Sequence, residues 1–231
     1  MSLFITATDT GVGKTLVTGG IAYALREQGL DIGCWKPLQS GELLGDPNGD
    51  ALRLKTVGNL PDPVEAICLQ AFQEPLAPRL SAERAGVQIT RQDLLAHHAA
   101  AKQRHQHLLI EGAGGLAVPL TADTTVVELA QEISAPLLII ARPSLGTVNH
   151  TVLTVRYAQA HGLNVAGVIL SGWLGGEDPG EAHNPFYIEE YAGVPVLGRV
   201  PWLGNAPTIE EIRHSVSATI DICRIAERFG S

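Results

Sequence analysis

The chain has 231 residues, 45% hydrophobic and 17% charged, enough apolar material for a sizeable core and too little charge for a disordered chain. Lys and Arg number 16 against 24 Asp and Glu, a formal net charge of −8, which argues against general binding to phosphate backbones. Cys34, Cys68 and Cys223 are odd in number and form no C-x-x-C pair, so free thiols are expected rather than a disulfide framework or a cysteine zinc site.

Residues 1–6 carry neither a basic leader nor a long apolar stretch, and the longest apolar run, residues 135–141, is far short of a membrane span. A soluble, cytoplasmic protein with no membrane or nucleic-acid partner is the expectation. Short apolar runs alternate with longer segments of helical period, the pattern of a mostly parallel sheet with helices on both faces. A first strand is predicted at 3–6, then a glycine-containing loop and a helix over 13–28 that Gly29 terminates. A second strand follows at 32–35, a loop at 38–49, and a helix from Asp50 to about 57. Residues 61–78 hold four prolines and read as loops around one short strand at 66–69. Thr90 caps a helix running to about 105. A buried strand at 108–110 ends at Glu111 and a glycine turn. Three more strands are predicted at 136–141, 165–170 and 194–200, with helices near 124–132, 148–161 and 210–229. No repeat or linker divides the chain, so one α/β domain over 1–231 is expected.

Directly after the first strand the chain reads Ala7-Thr8-Asp9-Thr10-Gly11-Val12-Gly13-Lys14-Thr15. The strict phosphate-loop pattern would have glycine at position 8, but the Gly-x-Gly-Lys-Thr core is intact between a strand and a helix. Gly11 and Gly13 let backbone N–H groups turn toward one anion, and the helix start adds its positive dipole end. Lys14 can reach the outer phosphates of a nucleotide, and the Thr15 hydroxyl can ligate magnesium. Gly11, Val12, Gly13, Lys14, Thr15 and Leu16 are therefore the predicted phosphate-binding segment. Asp9 stands where the partition and septum-positioning ATPases carry an extra lysine, which argues against that switch class.

Ligands of an open parallel sheet bind beyond the carboxyl ends of its strands. Lys36 follows the second strand, where it brings another positive charge toward a transferring phosphoryl group. Asp50 opens a helix after a flexible loop. Glu111 ends a buried strand before Gly112-Ala113-Gly114-Gly115, and a buried charge without a partner is costly. Thr15, Asp50 and Glu111 are therefore expected to share one magnesium, with phosphate oxygens and water completing an octahedron. His150 follows Gly146-Thr147-Val148-Asn149, a helix entry whose free N–H groups could hold a carboxylate. His97, His98, His105 and His107, with no carboxylate on a shared face, read as a solvated helix end.

Together these motifs resemble the dethiobiotin synthetase family. Its T-D-T-x-V-G-K-T is matched by Thr8 to Thr15, its K-P-x-x-S-G by Lys36, Pro37, Ser40 and Gly41, and its E-G-A-G-G by Glu111 to Gly115. Its L-G-x-x-N-H is matched by Leu145, Gly146, Asn149 and His150, its P-W-L by Pro201, Trp202 and Leu203, and its E-P-x-x-P by Glu74, Pro75 and Pro78. The resemblance implies a homodimeric enzyme of biotin biosynthesis that uses ATP and Mg2+. Such an enzyme carboxylates 7,8-diaminopelargonic acid with carbon dioxide and closes the ring through a carbamate and a carbamic-phosphoric anhydride. It implies catalytic roles for Lys36, Lys14 and Thr10, and substrate contacts for Ser40, Lys36, Asn149 and His150, the last two in the partner's site. Asp50, Glu111, Gly112, Ala113, Gly114, Ser171, Gly172, Pro201, Trp202 and Leu203 would complete the nucleotide site. Family members often carry Asn where this chain has Ser171, so weaker discrimination among bases is expected. Two other readings stand beside this one. A cobyrinic-acid-type amidase shares the loop but normally adds a glutaminase domain, for which 231 residues leave no room. A nucleotide-switched scaffold ATPase is disfavoured by Asp9.

Overall fold

Side chains alternate between the two faces of a strand, and in β1 (Ser2–Ala7) this sends Leu3 and Ile5 into one apolar layer and Phe4 into the other. A strand buried on both faces needs helices on both, the parallel α/β solution. The computed structural model describes residues 1–175 and 178–230. The chain continues through α1 (Lys14–Glu27), β2 (Ile32–Ser40), α2 (Asp50–Val57), α3 (Val64–Ile67) and β3 (Cys68–Phe72). Next come α4 (Pro78–Arg84), α5 (Arg91–Lys102), β4 (His107–Glu111), α6 (Val126–Ile133), β5 (Leu137–Ala141) and α7 (Thr147–Ala160). The last third holds β6 (Val165–Trp173), α8 (Pro179–Ala192), β7 (Val196–Pro201), α9 (Ile209–Thr219), α10 (Ile222–Ala226) and a closing 3-10 turn.

The seven strands among the described residues are all parallel, in the order β3-β2-β4-β1-β5-β6-β7. Because β4 and β5 flank β1, the strand order reverses there, and the carboxyl end of β1 faces a crevice. Val17, Ile21 and Leu25 of α1, Leu54 of α2, Val216 of α9 and Ile225 of α10 fill one layer. Leu94 of α5, Leu129 of α6, Val155 of α7 and Ile188 of α8 fill the other. The contact of α1 with α9 is close because Gly20 has no side chain: a Cβ there would lie 2.6 Å from Val216. Among the described residues no helix is long and apolar enough to cross a membrane.

Several predicted boundaries move. β2 runs to Ser40, so Lys36 lies inside a strand and residues 38–40 are not loop. The short strand expected at 66–69 is helical at 66–67 and extended from Cys68, where β3 begins and the chain reaches its pairing register beside Lys36. Besides α3, two helices among the described residues appear where none was expected: α4 and α8 each begin with a proline at the first or second position, a start that suits proline's fixed φ. The long carboxyl-terminal helix is broken at Ile220, which is extended and bridges to Gly198 of β7. The capping role of Thr90 is borne out, with a capping box to Asp93.

The histidine cluster is not a solvated helix end. His105 lies between two carboxylates from other segments, with Nδ1 2.7 Å from Asp31 and Nε2 2.7 Å from Asp62. These partners sit in loops distant in sequence, so inspection of one helix face misses them. The His97 Nδ1 accepts from the Trp35 indole N–H at 2.7 Å. His98 is buried with its ring centroid 5.0 Å from that of Trp35, and its Nε2 has no partner among the described residues. Burial pushes the His98 imidazole down to about 4. A histidine whose folded value is depressed stabilises the fold above its unfolded value and loses that contribution as the pH falls. Between pH 7 and pH 5 wild type should lose about 2 kcal/mol from this residue, following from an unfolded value of about 6.5. His98→Leu should remove that loss, as read from urea denaturation at the two pH values; equal losses in both proteins would show that His98 is not responsible.

Candidate active site

The loop between β1 and α1 turns through Gly11 at φ +73° and Gly13 at φ +85°, a region that L side chains avoid. At Gly13 a side chain is also shut out by Ser171 at the end of β6, whose Oγ would lie 2.6 Å from a Cβ. No side chain caps the start of α1, so its first N–H groups are free to face an anion. The strand ends add the charged groups. Register pairs Trp35 of β2 with Ile110 of β4, so the next residues, Lys36 and Glu111, emerge side by side. The Lys36 Nζ donates to Glu111 Oε1 and Asp50 Oδ2, each at 2.7 Å. Lys14 Nζ stands 3.8 Å from the same Glu111 oxygen.

Thr15 Oγ1 lies 2.9 Å from Asp50 Oδ1 and 2.9 Å from Glu111 Oε1. One hydroxyl proton serves only one acceptor at a time, so the three oxygens converge with more lone pairs than donors. Glu111 is 0% exposed, and its Oε2 has no partner among the described residues. Burial pulls the Lys14 ammonium below its usual value, with nearby Glu111 opposing. Burial acts the same way on Lys36, but Glu111 and Asp50 outweigh it and hold this ammonium above its usual value. Burial would raise Asp50, yet Lys36 prevails and holds the carboxyl at about 2. Lys36 and Asp50 therefore stay ionised throughout the neutral range. The acids and lysines of the cluster stand within pairing distance of one another.

Above it opens a cleft of about 1550 Å³. Thr10, Gly11, Val12, Gly13, Lys14, Thr15, Leu16, Lys36, Ser40, Asp50, Ala113, Gly114, Ser171, Gly172, Pro201, Trp202 and Leu203 all line it. Glu111 lies beneath the floor. Gly112 faces away: a Cβ there would come within 3.0 Å of Phe4 and 3.1 Å of Val126, so its glycine serves packing and does not line the cleft. Asn149 and His150 are exposed on the first turn of α7, outside this lining. Sequence reasoning missed Gln39, which is buried and fixes the turn into α2: its Oε1 accepts from Ala51 N at 2.7 Å and its Nε2 donates to Glu42 O at 2.7 Å. A side-chain amide three residues after Lys36 in a strand buried on both faces is the one signal that could have marked it. Asn205 and Arg142 also line the cleft, without a motif that would single them out.

Comparison with known proteins bears on the same residues. An AAA domain family model matches residues 1–207. The chain is 49% identical over 224 residues to the ATP-dependent dethiobiotin synthetase BioD of Bacillus thuringiensis (strain Al Hakam), covering 97% of this chain and 93% of that protein. The enzyme of the same name from Bacillus cereus (strain B4264) is 48% identical with the same coverage. Among solved structures, the MinC:MinD cell division protein complex of Aquifex aeolicus superposes with a TM-score of 0.60 at 13% identity, over 100% of this chain and 96% of that one. A ParA family ATPase from Chlorobium tepidum reaches 0.55 at 15% identity, over 98% and 92%. The likeness to these two extends to the fold alone, whereas identity near one half along almost the whole length reaches the site, and the chain belongs to the ATP-dependent dethiobiotin synthetase family.

Proposed function

We propose that this chain forms dethiobiotin from 7,8-diaminopelargonic acid, carbon dioxide and ATP. The observation that carries the reading is Lys36, held 2.7 Å from Glu111 and Asp50 one strand away from the phosphate loop and opening onto the same cleft as Ser40. A nucleotide switch needs the loop alone; a second buried lysine beside it suits transfer of a phosphoryl group to a second substrate. One amine of the diamine takes up carbon dioxide as a carbamate, the carbamate oxygen attacks the γ-phosphorus and ADP leaves. The second amine then attacks the carbamoyl carbon, and phosphate departs as the ring closes.

The residues divide this work by charge and position. Backbone N–H groups from Gly11 to Leu16 bind the phosphates, and Lys14 follows the outer one. Lys36 neutralises charge that builds between carbamate and phosphorus, a positioning and electrostatic task rather than a covalent one. The Thr10 and Ser40 hydroxyls orient the carbamate and phosphate oxygens. Oxygen donors and a Glu111 Oε2 without a partner among the described residues suit a hard cation, so Thr15, Asp50 and Glu111 would hold magnesium. When bound it supplies charge neutralisation along the phosphates. Ser171, Gly172 and the turn Pro201-Trp202-Leu203 flank the space for the base. Ser171 covers Gly13 and offers one short hydroxyl where an amide would read both edges, consistent with looser base selection.

The enzyme would act as a homodimer. α7 and α8 leave Leu153, Tyr157, Phe186, Tyr187 and Tyr191 at least partly exposed, and Leu145 before α7 is 99% exposed. Large apolar side chains grouped this way on a surface mark an association site. The first turn of α7, with Asn149 and His150, lies on the same side and would complete the site of the second copy.

Purified protein supplied with the diamine, bicarbonate and MgATP should yield dethiobiotin by mass spectrometry, whereas ATP hydrolysis indifferent to the diamine would favour a switch. Lys36→Met, which keeps the buried stem, should cut turnover by about a hundredfold or more while MgATP affinity changes by less than about threefold. Unchanged turnover with weakened MgATP binding would remove Lys36 from the chemistry. Phe186→Asp should turn a dimer into a monomer in sedimentation and raise the KM for the diamine. A dimer that survives this substitution would place the interface elsewhere.

A further inference from the structure

A phosphate loop attracts anions, yet the one in this chain carries an acid near its start. Asp9 lines the cleft beside Thr10 and Gly11, where its charge opposes that of an incoming triphosphate. The acid also has a use: its Oδ1 accepts from the Thr10 N–H at 2.7 Å, shaping the half of the loop that lacks glycine. Parallel register pairs Ala7 of β1 with Ile140 of β5, and the Thr8 N–H reaches Ile140 O at 3.0 Å. Two residues further along each strand stand Asp9 and Arg142, and their side chains form an ion pair through Oδ2 and Nη2. The Arg142 Nε is buried and has no partner among the described residues, and Asp9 holds the guanidinium through Nη2.

We infer that Arg142 is a positioning residue that neutralises and orients Asp9, allowing an acid to shape the phosphate loop without repelling the nucleotide. It acts through Asp9 on the loop and need not touch the nucleotide. The pair also ties the loop to the segment leading into α7, because Pro143 follows directly and its carbonyl accepts from Asn184 of α8 at 2.8 Å. The inference rests on the nucleotide-binding part of the proposed function and deepens it.

The test is a double-mutant cycle on MgADP affinity, read by calorimetry, with turnover measured alongside. Removing the cation alone leaves an uncompensated carboxylate in the loop, so Arg142→Met should weaken MgADP binding about tenfold. Asp9→Asn removes the repulsive charge and keeps an acceptor, so it should stay within about threefold of wild type. The double variant should return to within about twofold of Asp9→Asn, because contacting residues are not additive. Arg142→Lys, which keeps the charge but not the fork, should fall between wild type and Arg142→Met. The Arg142→Met deficit should shrink at high salt, since the pair is partly exposed. A double variant as weak as Arg142→Met would mean that the guanidinium meets the nucleotide directly, and would overturn the inference, as would wild-type affinity in Arg142→Met. If Arg142→Met does not fold, Arg142→Lys and the double variant make the same comparison. A wild-type chain that binds MgADP but forms no dethiobiotin overturns the proposed reaction and leaves this inference standing; one that binds no MgADP overturns both.

Discussion

Glu111 is fully buried at the carboxyl end of β4, where an ionised carboxylate without cations would cost several kcal/mol even after relaxation. Two lysines from different segments meet that cost, Lys36 at 2.7 Å and Lys14 at 3.8 Å. Each arrives by a different structural device. Lys36 reaches Glu111 through the register of neighbouring parallel strands, and Lys14 through the turn that starts α1. Asp50 then shares Lys36, and Gln39 holds the helix that presents it. A slip of one residue between β2 and β4 would turn Lys36 to the opposite face and leave the buried acid bare. The need to neutralise one carboxylate therefore fixes strand register, loop shape and helix start together.

That cluster also explains which parts of the site could be seen before the structure. The Gly11-Val12-Gly13-Lys14-Thr15 loop is local, since its chemistry follows from five consecutive residues. Glu111 was legible as an acid ending an apolar run. The contact between Lys36 and Glu111 joins residues 75 apart in the chain, and only the sheet order brings them together. The pairing of Asp9 with Arg142, 133 residues apart, has the same origin and carries no motif at all. The histidines show the reverse error. His105 looked solvated because its carboxylate partners, Asp31 and Asp62, come from loops that a helical wheel does not contain. Parallel strands and capped helices were legible from alternation and from Thr90; the proline-started helices α4 and α8 were not, because proline reads as a breaker unless the N–H it lacks falls in the first turn, where none is needed.

The MinC:MinD complex and the ParA family ATPase superpose on this chain at identities of 13% and 15%, a likeness of fold alone. A shared scaffold does not carry a shared activity. In this chain the charges at the strand ends are what the fold alone does not dictate. A lysine inside a phosphate loop would add a cation to the phosphates from the loop itself. This chain has Asp9 in its loop, and the second cation beside Lys14 is Lys36 of β2. The position of a cation decides what it can do. A lysine rooted in the phosphate loop follows the nucleotide, whereas one rooted in β2 opens onto the same cleft as Ser40. In the proposed reaction that place is where a second substrate would meet the terminal phosphate, so a charge carried by the strand would serve transfer of the phosphoryl group to another molecule.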